Sequence, residues 1–233
     1  MTWAMELPMN FGKYFLDGDY VGWEEALEAH FEALSAEEKE KYHIDGPTAY
    51  ARNVCGKFTL PIASEANEFR GVPTLRDYEC PKEFAIQFLD AKEHGSLIML
   101  TSRLLAVDEA SKAIIEDLEP DVHQFWPIKI TMRDGSPHSK SYYGIRIGQF
   151  LDSFRPEETP EDVFHGRSNS YYIDSFTKKK CAAMAFSKNA IGAAHLWRER
   201  RVKDPAVFFS DTLTARISDA GLDIPKVLKV KDV

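Results

Sequence analysis

The sequence predicts an α+β fold, with helices packed on a mixed or mainly antiparallel sheet in a single compact domain. Three observations predict it. Apolar runs of strand length recur along the chain, and other stretches place apolar residues at helical spacing among Glu and Lys. A loose unit also occurs twice: an apolar run, a serine, an amphipathic stretch and a second β-rich run. The copies are Ile98 to Ser102 through Leu118 and then His123 to Ile130, and Val207 to Ser210 through Gly221 and then Lys226 to Val230. No long period runs through the chain, which excludes a solenoid or propeller. With 233 residues, 44% of them hydrophobic, a sizeable core can be buried.

Residues 1–95 are expected to form an N-terminal lobe and 96–233 an α+β region. In the lobe, aromatics around Asp17-Gly18 predict a hairpin within residues 1–22. Leu27, Phe31 and Leu34 then predict an amphipathic helix from Trp23 toward Tyr42, broken at Ser35, which is placed to cap a second helix. From Gly46 to Gly95 four prolines interrupt the chain, so irregular connections with short strands are expected, Glu83 to Leu89 being the one compact apolar run.

In the second region, Leu97 to Leu100 reads as a buried strand and Ser102 as the cap of a helix with Leu104, Val107, Ala110, Ile114 and Leu118 on one face. Glu119-Pro120 ends that helix. Phe125 to Met132 and Tyr142 to Phe150 read as an antiparallel pair around the turn Arg133 to Ser136. Asp152 to Asp162 is an acidic surface loop. Tyr171 to Phe176 and Ala182 to Phe186 suit short strands joined by Lys178-Lys179-Lys180, while Ala190 to Arg201 suits helix or strand. Residues 207–209 form a strand, Ser210 caps a helix burying Leu213, Ile217 and Ala220, Gly221 ends it, and Val227 to Val230 is the last strand.

A formal net charge of -8 argues against general affinity for nucleic acid or an anionic membrane and favours a basic partner. The apolar runs fall short of the roughly 20 residues a bilayer span requires, and the first residues lack the pattern of a signal peptide. The protein is therefore expected in the cytoplasm. Cys55, Cys80 and Cys181 are irregularly spaced and read as reduced, buried thiols.

No nucleotide-binding glycine pattern and no G-x-S-x-G occurs. No histidine pair has the spacing of a helical zinc site, and Asp117, Glu119 and Asp121 lack the rest of a calcium loop and read as the solvated end of a helix. Neither a metal nor a cofactor is expected. His123 beside Gln124, Phe125 and Trp126 lacks a nucleophile signature nearby, and its simpler role is at a helix-to-strand junction. Lys178 to Lys180 with Arg198, Arg200 and Arg201 read as solvated edges. The acidic stretch Glu24, Glu25, Glu28, Glu37 and Glu38, with Glu157 and Glu158 in the later loop, is the candidate surface for a cationic partner.

The apolar-Ser start and its helix, His123-Gln124-Phe125 followed by Trp126-Pro127-Ile128, Leu196-Trp197-Arg198, and Val207 to Asp211 with Leu213 and Ala220-Gly221-Leu222 carry a resemblance. Together they resemble Imm11, formerly the domain of unknown function DUF1629, a family of bacterial immunity proteins of polymorphic toxin systems. The chain departs from that pattern after Leu222, where Asp223-Ile224-Pro225-Lys226 replaces a glycine-bearing turn with an aromatic. The resemblance implies a cytoplasmic protein that binds a cognate toxin domain and blocks it without chemistry, and it carries over no catalytic residue. Two other hypotheses stand beside it: an enzyme with its site near His123 or His165, and a scaffold that forms homo-oligomers.

Overall fold

The computed structural model describes residues 1–41, 46–60, 74–88, 93–167, 170–173, 176–202 and 206–233. In chain order the strands and helices are β1 (Thr2–Met5), β2 (Gly18–Tyr20), α1 (Trp23–Ala33), α2 (Ala36–Lys41), α3 (Pro47–Gly56), β3 (Glu83–Ile86), β4 (Leu97–Met99), β5 (Leu105–Asp108), α4 (Glu109–Leu118), β6 (Gln124–Thr131) and β7 (Tyr142–Arg146). They continue with β8 (Phe150–Leu151), β9 (Phe164–Arg167), β10 (Ser170–Ile173), α5 (Lys178–Ala183), β11 (Ala185–Phe186), α6 (Lys188–Ile191), β12 (Leu196–Glu199), β13 (Val207–Ser210), α7 (Asp211–Asp219), β14 (Val227–Lys229) and β15 (Lys231–Asp232).

Two mixed sheets dominate, one in the order β2-β3-β6-β7-β5-β4 and the other β14-β1-β13-β12-β8. Within them β3–β6 and β12–β8 are parallel and the remaining pairs antiparallel. The fold is thus α+β with mixed sheets, as the sequence predicts. A central core joins the two: Leu97, Leu105, Val107 and Ile145 from the six-stranded sheet meet Met5, Leu196, Val207 and Phe209 from the five-stranded one, with Ile115 of α4 and Leu213 and Ile217 of α7. The outer face of the first sheet packs on Leu27 and Phe31 of α1 and Tyr50 and Val54 of α3. A third cluster gathers Phe154, Tyr171, Cys181, Phe186, Trp197 and Phe208.

The antiparallel pair β6–β7 forms as expected, with Trp126, Ile128 and Ile130 buried and Pro127 and Lys129 exposed between them. Ser35 caps α2 through a reciprocal box: its Oγ accepts from the Glu38 N–H at 3.3 Å, and its N–H donates to Glu38 Oε2 at 3.0 Å. Ser210 caps α7 by accepting from the Leu213 N–H at 3.1 Å, and Gly221 follows the helix at φ 64°, conformational freedom that glycine supplies.

Several elements differ from expectation. The segments on either side of Asp17 do not form a hairpin: β1 lies between β13 and β14, and β2 pairs with β3. Ser102 caps no helix. It sits at φ 59° beside Arg103 at φ 61° in the tight connection from β4 to β5. All four residues of β5 are buried, so Leu105 to Asp108 satisfy their backbone in the sheet, and α4 starts one residue later. Its cap is Asp108, whose Oδ1 accepts from the Ser111 N–H at 2.9 Å.

Both copies of the repeated unit are therefore strand, cap, helix and strand, and their helices touch through Arg216–Asp117 at 2.5 Å. Lys178 to Lys180 open α5 rather than a turn, because Thr177 caps them. Pro47 starts α3, where its missing N–H costs nothing. Ala220 is exposed, lying beyond the last buried turn of α7. Residues 190–201 divide between the end of α6 and β12. Cys80 and Cys181 are buried and Cys55 partly so, all three free, with burial pushing each thiol up from its ordinary value.

Candidate functional site

Burial of Trp23, Leu27 and Phe31 fixes the orientation of α1 and turns Glu24, Glu25 and Glu28 to solvent. Lys39 of α2 ties the next helix to it, donating to the Glu32 carbonyl at 3.1 Å and lying 4.9 Å from the centre of the Phe31 ring. Glu37 and Glu38 are exposed on that second helix. Glu24 and Glu25 sit in the first turn of α1 and Glu37 and Glu38 in that of α2, where the helix dipole favours negative charge. Hydrogen bonds from the Ser35 hydroxyl and N–H hold Glu38 below the usual carboxylate range.

Glu157 and Glu158 lie elsewhere, in a short helical turn after the buried Phe154, and are also exposed. Glu157 is 4.0 Å from Arg155 and Glu158 3.9 Å from Lys231. The acidic residues named from the sequence thus form two groups, one on the α1/α3 core and one beside the third cluster.

His123 lies at the junction of α4 and β6. Its Nδ1 accepts from the Gly148 N–H at 3.1 Å, so Nε2 carries the hydrogen and donates to Glu119 Oε2 at 2.8 Å. Both ring nitrogens are thereby engaged in holding the chain. Glu119, expected at a solvated helix end, is instead 6% exposed. Its Oε1 accepts from Gln149 Nε2 at 2.5 Å and the His195 N–H at 2.6 Å, and Oε2 also accepts from the Leu196 N–H at 3.0 Å. Burial pushes this carboxyl up, but the bonds from His123, His195 and Gln149 prevail and hold it below its ordinary value. One carboxylate thus joins the end of α4 to β12, across the seam between the two sheets.

A second buried carboxylate, Glu199, accepts from the Ser153 N–H at 3.0 Å, the Phe154 N–H at 3.1 Å and Trp197 Nε1 at 3.1 Å, and from the Ser153 hydroxyl. Burial nevertheless pushes its carboxyl up to about 7.

His165 is an exposed residue of the antiparallel β9–β10 pair and stacks on Tyr172 with centroids 5.2 Å apart. His123 and His165 are not brought into one site: the first closes the α4–β6 junction and the second faces solvent. Arg198, expected at a solvated edge, is instead 3% exposed, its neighbour Trp197 being 0% exposed. Arg201 is committed to Asp152 Oδ1 at 2.5 Å and the Phe154 carbonyl at 2.7 Å.

The buried charges Glu119, Arg146, Arg198 and Glu199 were not singled out as a set by sequence reasoning. One local signal pointed to Glu119: an acid at the C-terminal end of a helix opposes the helix dipole and calls for compensation. Among the described residues no helix is long and apolar enough to cross a membrane, and no cluster of three or more potential metal ligands occurs.

A family model described as immunity protein family (Imm11) matches residues 24–231, beginning well before the segments that carry the resemblance in the sequence and taking in the acidic helices. No curated protein matches the chain.

Proposed function

The chain belongs to the immunity protein family Imm11, and from that premise we propose that it neutralises a cognate bacterial toxin domain in the cytoplasm by stoichiometric, non-catalytic association. The observation that carries the reading is the family match across residues 24–231, which includes the exposed acids of α1 and α2. The net charge of -8 supports a cationic partner, steered to the acidic face by long-range attraction. Val21, 54% exposed just before α1, adds an apolar contact beside those carboxylates. The engagement of both His123 nitrogens in backbone and carboxylate bonds supports a structural role for the histidine nearest the family's matching segments.

Co-expression with the toxin domain encoded in the neighbouring reading frame tests this. Growth is expected to recover with the native chain and to fail with the triple reversal Glu24→Lys, Glu25→Lys, Glu28→Lys, which alters exposed positions only. No recovery with the native chain contradicts the function. Full recovery with the folded triple variant contradicts this surface.

A further inference from the structure

β7 ends by carrying a guanidinium into the interior. Arg146 is 1% exposed, and its Nη1 donates to the Ile147 carbonyl at 3.2 Å. Its Nε and Nη2 are buried too, and neither meets an acceptor among the described residues. These two nitrogens share one edge of the guanidinium, where two near-parallel N–H bonds are spaced to receive both oxygens of a carboxylate or phosphate.

Among the described residues the buried acids are already engaged. Glu79, whose charge favours the Arg146 cation, bonds Lys57 and the Arg76 N–H. Asp108 caps α4, Glu119 holds the α4–β12 junction, and Glu199 binds the Ser153–Phe154 backbone. Desolvation pulls Arg146 down to about 10, which leaves it charged at neutral pH. Burial first, and then the charges of Arg146 and Arg103, pull the buried Arg198 down to about 9.

Arg146 also lines a cleft of ≈ 230 Å³ with Thr74, Asp121, His123, Gln124 and Gly148. Arg146 is the cation of that lining, and Asp121, at φ 61° and exposed, stands on its solvent side. Backbone meets backbone in its wall: a Cβ on Gly148 would fall 1.8 Å from the Val122 carbonyl oxygen.

We propose that this cleft is an oxyanion-binding pocket, in which a small carboxylate or phosphate group lies bidentate against Nε and Nη2 of Arg146. The proposal does not rest on toxin binding.

Its test is a nitrogen-15 NMR titration of the arginine-labelled native chain with inorganic phosphate and with acetate, at constant ionic strength maintained with chloride. The Arg146 Nε–H resonance, assigned by its loss in Arg146→Lys, is expected to move saturably with at least one probe. Movement with phosphate alone marks a tetrahedral ligand, and movement with acetate alone a carboxylate. Arg146→Lys keeps a charge but loses the fork, so affinity for the active probe is expected to fall about tenfold or more. If that variant does not fold, an Asp121→Asn chain takes its place in the affinity comparison, where loss of a carboxylate from the lining is expected to tighten binding of the active probe and unchanged affinity counts against this cleft; assignment then proceeds from the backbone of the native chain. An Arg146 Nε–H resonance that neither probe moves at millimolar concentration overturns the proposal.

Discussion

Glu119 shows how much one side chain carries. Four donors from three segments converge on its two oxygens: His123, Gln149 and the His195 and Leu196 N–H groups. Glu119→Ala leaves all four facing a cavity and is expected to cost about 3 kcal/mol or more in urea unfolding. Glu119→Gln, which retains one acceptor oxygen, is expected to cost less. Glu199 gives a pH signature of the opposite sign to a carboxylate held down by its hydrogen bonds, such as Glu119. Its folded value, about 7, lies above its ordinary 4.5, so the folded state holds a proton that the unfolded chain releases. The stability it contributes is full below that ordinary value and is lost as pH rises through the folded one. Melting temperature should therefore decline from about pH 5 to about pH 8, with the slope flattened in Glu199→Gln. Neither carboxylate is legible as a structural hub, because only His123 for Glu119 and Trp197 for Glu199 are close in the sequence, while the other donors come from distant segments whose convergence residue spacing does not encode.

At the scale of elements, the two strand–cap–helix–strand units explain both a success and an error of sequence reasoning. Ser210 was placed correctly because Val207 to Phe209 is a short apolar run ending at a polar residue. In the first unit Leu104 and Val107 fall in helical phase with Ile114 and Leu118, so the period extends backward through residues that the sheet claims. Burial on both faces of β5 decides for strand, and the cap moves to Asp108. Replacing either true cap, Asp108→Ala or Ser210→Ala, is expected to lower stability by about 1 kcal/mol, read by thermal unfolding. Ser102→Ala, in the β4–β5 connection, is expected to change it by less than about 0.5 kcal/mol. The helix α3 escaped notice because Pro47 reads as a breaker, although proline at the first helical position is harmless.

For the whole molecule, the α+β class is legible from strand-length and helix-length patterns, as is the local pair β6–β7, whereas the distant partners of the strands are not. β1 is placed between β13 and β14, a pairing across almost the entire chain for which no local signal exists. The acidic helix α1 packs on the outer face of the six-stranded sheet, away from the core that the two sheets share. With a net charge of -8, capture of a cationic toxin should slow as salt rises, the association rate falling by at least about tenfold between low and physiological ionic strength while dissociation changes little. Stopped-flow mixing reads both rates. The central claim, blockage by occupancy, is tested most directly by titrating the purified chain into a fixed amount of the neighbouring frame's toxin domain and measuring residual toxin activity. The account predicts a straight decline that reaches zero at one equivalent, with both proteins recovered intact from the complex. Complete inactivation by a small fraction of an equivalent, growing with time, would contradict it.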